Sequence, residues 1–254
     1  MMTLATFKGG IHPPDKKDIA KGRAIKEAKS PQRVVIPLSQ HLGAPCKPIV
    51  SIGQEVKKGE VIGEPGGFVS APVHSSVSGK VIAIAEFPNA MGRMINSIVI
   101  ENDGKEEWTS LKDNPDYIKL SPDELKEKVK AAGIVGMGGA AFPTLVKLSP
   151  PKEKPIDTVI LNGAECEPYL TADYRLMIEK SAEIVEGLKI LMRILGVNKG
   201  FIGIENNKPD AIEAMKQAAS KVRSSELGVQ SIEVCGLEVK YPQGAEKMLI
   251  SALT

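Results

Sequence analysis

The spacing of hydrophobic positions along the chain changes once, near residue 120. From Val34 to Ile100 they come in short β-rich runs cut by Gly and Pro. These runs are Arg33-Val-Val-Ile-Pro-Leu38, Cys46-Lys-Pro-Ile-Val50, Glu60-Val-Ile-Gly63, Gly79–Ala85 and Asn96–Glu101. Strands this short predict a small antiparallel barrel or sandwich. Beyond Ser121 the period lengthens from about two to about 3.6. Ser121-Pro-Asp-Glu124 predicts a helix start, with Ser121 as N-cap, Pro122 at the first helical position and Glu124 closing a capping box; the helix ends at Gly133. A strand (Asp157–Leu161), a long amphipathic helix (about Asp173–Leu195), a strand (Gly200–Ile204), a helix from Pro209 to about Val222, a strand (Ser231–Cys235) and a helix opening near Gln243 follow. Strands alternating with helices predict a parallel α/β sheet.

Residues 1–32 show neither period. Gly9-Gly10, Pro13-Pro14 and a Lys-rich polar run read as an extended arm, with at most a short helix near Ile19–Ala28. Residues 103–120 are polar and turn-rich, a linker that carries Trp108. The expected division is therefore an arm (1–32), a β domain (33–102), a linker (103–120) and an α/β domain (121–254), and 254 residues suffice for two compact domains. The stretch Gly244–Thr254 reads as a helix without a terminal Gly or polar tail, as in a fragment of a longer protein.

Charge narrows the partners. Thirty-three basic and 31 acidic residues are interspersed, with no basic stripe carrying stacking aromatics, so nucleic acid is not the expected ligand. The most apolar helical stretch, Ile184–Leu195, is interrupted by Glu186, Lys189 and Arg193, and the first residues lack the apolar core of a secretory signal. A soluble, cytoplasmic protein able to dock on a membrane complex is expected. Cys46, Cys166 and Cys235 form no CxxC, and His12, His41 and His74 sit at no ligand spacing, so no metal site is expected.

Three segments of the α/β half carry candidate chemistry. Gly136, Gly138 and Gly139 form a loop whose amides can approach an anion, and Lys147 lies eight residues beyond Gly139. Taken alone, the loop reads more readily as a tight turn; it is neither a Walker loop nor a Rossmann fingerprint. Asn162-Gly-Ala-Glu-Cys-Glu-Pro168 follows a predicted strand, where open α/β sheets bind ligands. Asn162 suits a planar heterocycle, while Glu165 and Glu167 suit hydroxyls, an amide or an acid/base pair; solvated acids in a loop are the plainer reading. Tyr241-Pro-Gln-Gly-Ala-Glu-Lys247 repeats the strand-to-helix arrangement. Every His lies outside this half, which argues against a His-activated nucleophile, and no catalytic residue is expected.

In the β half, Gly53-x-x-Val-x-x-Gly-x-x-Ile62 and Ser78-Gly-x-Val81 resemble the biotinyl/lipoyl hammerhead. That family carries its cofactor on a Lys at a hairpin tip. Here the tip is Glu64-Pro-Gly-Gly-Phe68, with Gly67 at the Lys position, so a carrier role is not expected.

Thr6-Phe-Lys-Gly-Gly-Ile-His-Pro-Pro14, Gln40-His-Leu-Gly-Ala-Pro-Cys46, Gly136–Thr144, Asn162–Asp173 and Tyr241–Glu246, in this order, resemble the RnfC family of the Rnf electron-transport complex over essentially the whole chain. The α/β half is similar in turn to the NADH-oxidising flavin protein of respiratory complex I. The resemblance implies a hammerhead β domain followed by a Rossmann-like domain holding FMN, with NADH as substrate. It implies that Gly136, Gly138, Gly139 and Lys147 face the flavin phosphate, that Asn162 and Glu165 contact the flavin, and that Tyr241 and Gly244 lie at its edge. Phe142 would stack on the adenine of NADH, with Glu167 and Glu246 as hydrogen-bonding acids. Met137, Ala141, Ala164 and Ala245 stand where the complex I pattern has Arg, Gly, Asp and Glu. The family further implies two 4Fe-4S clusters beyond these residues, partner subunits of a membrane-bound ion-translocating ferredoxin:NAD oxidoreductase, and a peripheral place on the cytoplasmic face of the membrane. A flavin-dependent cobalamin reductase of related build and a non-catalytic docking scaffold are the competing readings.

Overall fold

A computed structural model describes residues 4–112, 114, 116–222 and 231–254. Met1–Thr3 of the expected arm and residues 113 and 115 of the expected linker lie outside them. The chain divides into two compact units, one formed by Ala28–Lys152 and the other by Met1–Glu27 together with Glu153–Thr254.

The contiguous unit is built on two antiparallel sheets. In the first, β1 (Arg33–Pro37), β7 (Met94–Asn102), β6 (Gly79–Pro88) and β3 (Glu55–Val56) lie side by side in that order. In the second, β4 (Val61–Glu64) lies between β2 (Lys47–Pro48) and β5 (Val73–His74). Their inward residues, among them Leu38, Ile62, Val81, Ile98 and Ile100, form one apolar core. The expected strands are present. The Cys46–Val50 run is shortened to β2, and the two-residue strands β3 and β5 lie outside the expected runs. At the start of β6 a Cβ on Gly79 would lie 2.0 Å from the Glu101 carbonyl oxygen, so the β6–β7 ladder requires glycine there.

Helix α1 (Pro122–Ala131) has the expected cap: Ser121 Oγ accepts from the Glu124 N–H, and the Glu124 carboxylate accepts from the Ser121 N–H at 2.8 Å. This helix, the glycine-rich loop and the short α2 (Thr144–Lys147) belong to the β-rich unit, so the compact units are cut differently from the change of period at residue 120. Contacts explain the cut. The Leu42 N–H donates to the Ala140 carbonyl, and His74 Nε2 bonds the Ala131 carbonyl at 3.1 Å.

The other unit is a parallel sheet in which β9 (Lys199–Glu205) lies between β8 (Thr158–Gly163) and β10 (Ser231–Leu237). All but the first residue of β9 are buried, as expected of a central parallel strand covered on both faces. Helices α3 (Ala172–Glu179), α4 (Ser181–Leu195) and α5 (Pro209–Ser220) supply Met177, Leu188, Met192 and Met215 to the core with Ile202 and Ile204. The single helix expected over Asp173–Leu195 is broken at Lys180, whose φ of −134° leaves the helical region. Met177, Val185, Leu188 and Met192 keep one apolar stripe across the break, which hides it from the pattern. α4 ends on Gly196, left-handed at φ 67°. The last helix, α6 (Glu246–Leu253), begins three residues later than expected.

The arm is extended apart from a short 3-10 turn over Lys17–Ile19. It is not free. Ala5 pairs in parallel with Leu237 at the end of β10, and Ile11 pairs antiparallel with Tyr241.

Candidate functional site

The parallel register sets the geometry. Gly163 lies opposite Ile204, and Leu237 opposite Glu205, so β8, β9 and β10 end level on one edge of the sheet. The segments after them, Ala164–Pro168, Asn206–Lys208 and Glu238–Glu246, leave from that edge.

The structure joins two of the predicted segments there. The Asn162 side-chain Nδ2 donates to the Gly244 carbonyl at 2.7 Å, and its Oδ1 accepts from the Ala164 N–H at 3.2 Å. The Gly244 N–H donates to Cys166 Sγ at 3.3 Å. A Cβ on Gly244 would meet Ala164 Cβ and Cys166 Sγ at 3.4 Å, so the two loops nearly touch. Asn162, Glu167, Tyr241 and Glu246 are exposed, and Glu246 is the first residue of α6.

Glu165 is placed otherwise. Its backbone is left-handed (φ 52°) and its side chain is buried. Oε1 accepts from the Asp173 N–H at 2.7 Å, and Oε2 has no hydrogen-bond partner. Burial raises the affinity of this carboxyl for its proton, partly offset by the Asp173 N–H and by the nearby Lys17 ammonium.

Around Glu165 lies a buried polar group that the pattern of residues did not mark. Lys208 Nζ donates to the Ala164 carbonyl at 2.7 Å and pairs with Glu205 at 3.1 Å, both side chains almost wholly buried. Burial pushes Glu205 up and Lys208 down, and their mutual attraction opposes both shifts. Lys17 Nζ donates to the carbonyls of Glu167 (2.9 Å) and Leu170 (2.5 Å) and lies 3.9 Å from Glu165 Oε2. Gln243 is fully buried, with neither side-chain amide atom hydrogen-bonded. In sequence, Lys17 sits in a Lys- and Asp-rich run that looks solvated, and Lys208 in an ordinary helix approach before Pro209. The only available signal for Lys208 was its place after the predicted strand ending at Ile204.

The glycine-rich loop belongs to the other unit. The Gly136 N–H donates to the Phe142 carbonyl at 2.9 Å, closing the loop. A Cβ on Gly136 would lie 2.7 Å from Lys147 Nζ, whereas Gly138 and Gly139 face open space. Phe142 is half-buried, and Lys147 ends α2 with its side chain exposed.

Comparison with known proteins bears on what such residues hold. Residues 5–105 match the RnfC barrel sandwich hybrid domain, and residues 129–254 match the Nuo51 FMN-binding domain. The component designated C in the proton-translocating ferredoxin:NAD(+) oxidoreductase complex of Clostridium ljungdahlii is 50% identical over 252 residues, covering 99% of this chain and 53% of that protein. Its counterpart in the Na(+)-translocating complex of Acetobacterium woodii is 52% identical over 251 residues, covering 98% and 55%. The chain belongs to the RnfC family. It spans about half the length of these two RnfC relatives. A chain of an NAD+-reducing [NiFe]-hydrogenase is 26% identical with a TM-score of 0.49, covering 52% of this chain and 24% of that one.

For a member of the RnfC family whose matched half is described as FMN-binding, the group to test is FMN. The residues fit it. Lys147 and the exposed loop Met137–Gly139 offer an ammonium and main-chain amides, the donor chemistry a phosphate requires. At the sheet edge, exposed Asn162 retains one amide hydrogen and one lone pair beyond its two bonds to protein. Among the described residues, no helix is long and apolar enough to cross a membrane, and no cluster of His, Cys, Asp and Glu is placed to hold a metal ion.

Proposed function

We propose that this chain is the flavin and nicotinamide module of a membrane-associated, ion-translocating ferredoxin:NAD oxidoreductase complex. The observation that carries the reading is the coincidence of the flavin-domain match over residues 129–254 with two strand-end loops joined at the carboxyl edge of a parallel sheet. On this reading the β-rich unit contains a hammerhead shell, and the α/β unit is Rossmann-like.

FMN, when bound, supplies the capacity to take a hydride from NADH and release electrons one at a time. The chain's own residues bind and orient. In the β-rich unit, Gly136, Gly138, Gly139 and Lys147 would offer donors to a phosphate; in the α/β unit, Asn162, Glu165, Tyr241 and Gly244 would offer partners to a flavin. Phe142, in the β-rich unit, would offer a ring for an adenine to stack on, and Glu167 and Glu246, in the α/β unit, would offer acceptors to hydroxyl and amide groups of the nicotinamide substrate. No side chain is assigned a covalent or acid–base role. On this reading the onward path runs through iron–sulfur clusters, for which the described residues of this chain offer no ligand cluster. Partner subunits hold the chain on the cytoplasmic face of the membrane.

The test is titration of the purified chain with FMN, followed by flavin fluorescence, and then addition of NADH under anaerobic conditions. Saturable FMN binding followed by bleaching of the flavin absorbance is the expected result. Absence of binding by this chain and by a full-length homologue would overturn the cofactor assignment and favour a docking scaffold.

A further inference from the structure

We propose that Lys17 and Lys208 are positioning residues, two buried ammonium groups that grip the Ala164–Leu170 loop from either end and hold it in the shape that receives the ligand. The clamp is argued from the structure itself; that the ligand is FMN rests on the reading above.

The loop needs holding. Two of its non-glycine residues, Glu165 (φ 52°) and Tyr169 (φ 68°), adopt the left-handed conformation, which L-residues populate only when their surroundings enforce it. Lys208 acts at the front of the loop, donating to the carbonyl of Ala164. Lys17 acts at the back, donating to the carbonyls of Glu167 and Leu170. Glu165 lies between them, 3.9 Å from Lys17 Nζ and within the field of Lys208. A lysine side chain is rarely buried without a partner; Lys17 donates to two main-chain oxygens of this loop, and Lys208 donates to one while the Glu205 and Asn207 side chains take its other hydrogens.

The two grips come from opposite ends of the chain. Lys208 is set by β9 and by its pairing with Glu205 at the strand's end. Lys17 is set by the arm, where the Tyr169 N–H donates to the Asp15 carbonyl at 2.7 Å and Asn207 Nδ2 donates to Asp15 Oδ2 at 3.3 Å. Glu165 and Glu167, two of the residues assigned to ligands above, therefore sit on a loop held by Lys17 and Lys208.

The experiment measures hydrogen exchange of the whole 254-residue chain, without added ligand, in peptides covering residues 162–175 and 199–205. The variants are Lys17→Met, Lys17→Arg and the double change Lys208→Met with Glu205→Gln, which avoids leaving Glu205 charged and alone. In Lys17→Met and in the double variant, exchange at Tyr169 and Asp173 is expected to rise about tenfold, the effect of one charge-assisted hydrogen bond. Exchange in β9 stays unchanged, and Lys17→Arg restores protection. The dissociation constant for FMN, measured by fluorescence, rises by a similar factor. Unchanged loop exchange in folded variants overturns the clamp, whatever the flavin does. Looser exchange with undiminished FMN affinity overturns its role in ligand binding. If the unaltered chain binds no FMN, the flavin reading fails and exchange alone decides the clamp. If the double variant does not fold, Lys17→Met, whose partners are mostly carbonyls, decides the question by the same readout.

Discussion

At the scale of single residues, the polar groups that matter most are those the sequence could not distinguish from solvated ones. Asn162, Glu165 and Gly244 were legible because each lies just after a recognisable strand or just before a helix. Lys17 and Lys208 were not, because burial of a lysine is decided by main-chain carbonyls far away in sequence, Lys17 reaching Leu170 across 153 positions. Cysteine chemistry gives a separate test. Burial, then the charge of Glu233, pushes the Cys235 thiol from its ordinary 9.0 up to about 11. A folded-state pKa above the unfolded one means that the native state holds the proton more tightly. The resulting stabilisation is complete below pH 9 and is lost as the pH climbs towards 11. Alkylation of Cys235 by iodoacetamide at pH 8 is therefore expected to be about a hundredfold slower in the folded chain than in urea, because the thiolate is the nucleophile. Its rate should keep rising past pH 10, as peptide mass mapping can follow; a plateau near pH 9 would contradict the shift.

At the scale of elements, local chemistry was read where it is self-contained. The capping box at Ser121 needs four consecutive residues, and all four were visible. Replacing Ser121 with Ala removes the acceptor for the Glu124 N–H and is expected to cost about 1 kcal/mol. A urea midpoint shift in the β-rich unit measures it, and Ser121→Asp should recover most of the loss. Features that depend on a partner element were hidden. The break at Lys180 leaves the apolar stripe intact, and the two-residue strands β3 and β5 exist only because β6 and β4 pair with them. The arm's pairing is hidden for the same reason. Gly9-Gly10 and Pro13-Pro14 rule out a helix, but nothing local reveals that Ala5 and Ile11 pair with main chain at the end of the sheet.

At the scale of the whole molecule, the fold class was legible because the change from short β-rich runs to alternating helices and strands spans many residues. The make-up of the units was not, since the α/β unit is discontinuous: Met1–Glu27 and Glu153–Thr254 enclose the β-rich Ala28–Lys152 in sequence. Deleting residues 4–19 removes the buried Phe7, the strand-like pairing of Ala5 and the Lys17 grip. The α/β unit is expected to lose about 3–5 kcal/mol of stability, with little change in the β-rich unit. Denaturant melts read by hydrogen exchange, peptide by peptide, separate the two; an equal loss in both would show that they unfold as one. Discontinuity also gives the molecule a timetable. During synthesis the β-rich unit has all its residues once Lys152 has left the ribosome, whereas Thr6 must wait for Glu238, 232 positions later, before its partner exists. That segment is thus made well before its partners, and until they follow its apolar and cationic side chains are open to any chaperone that binds nascent chains.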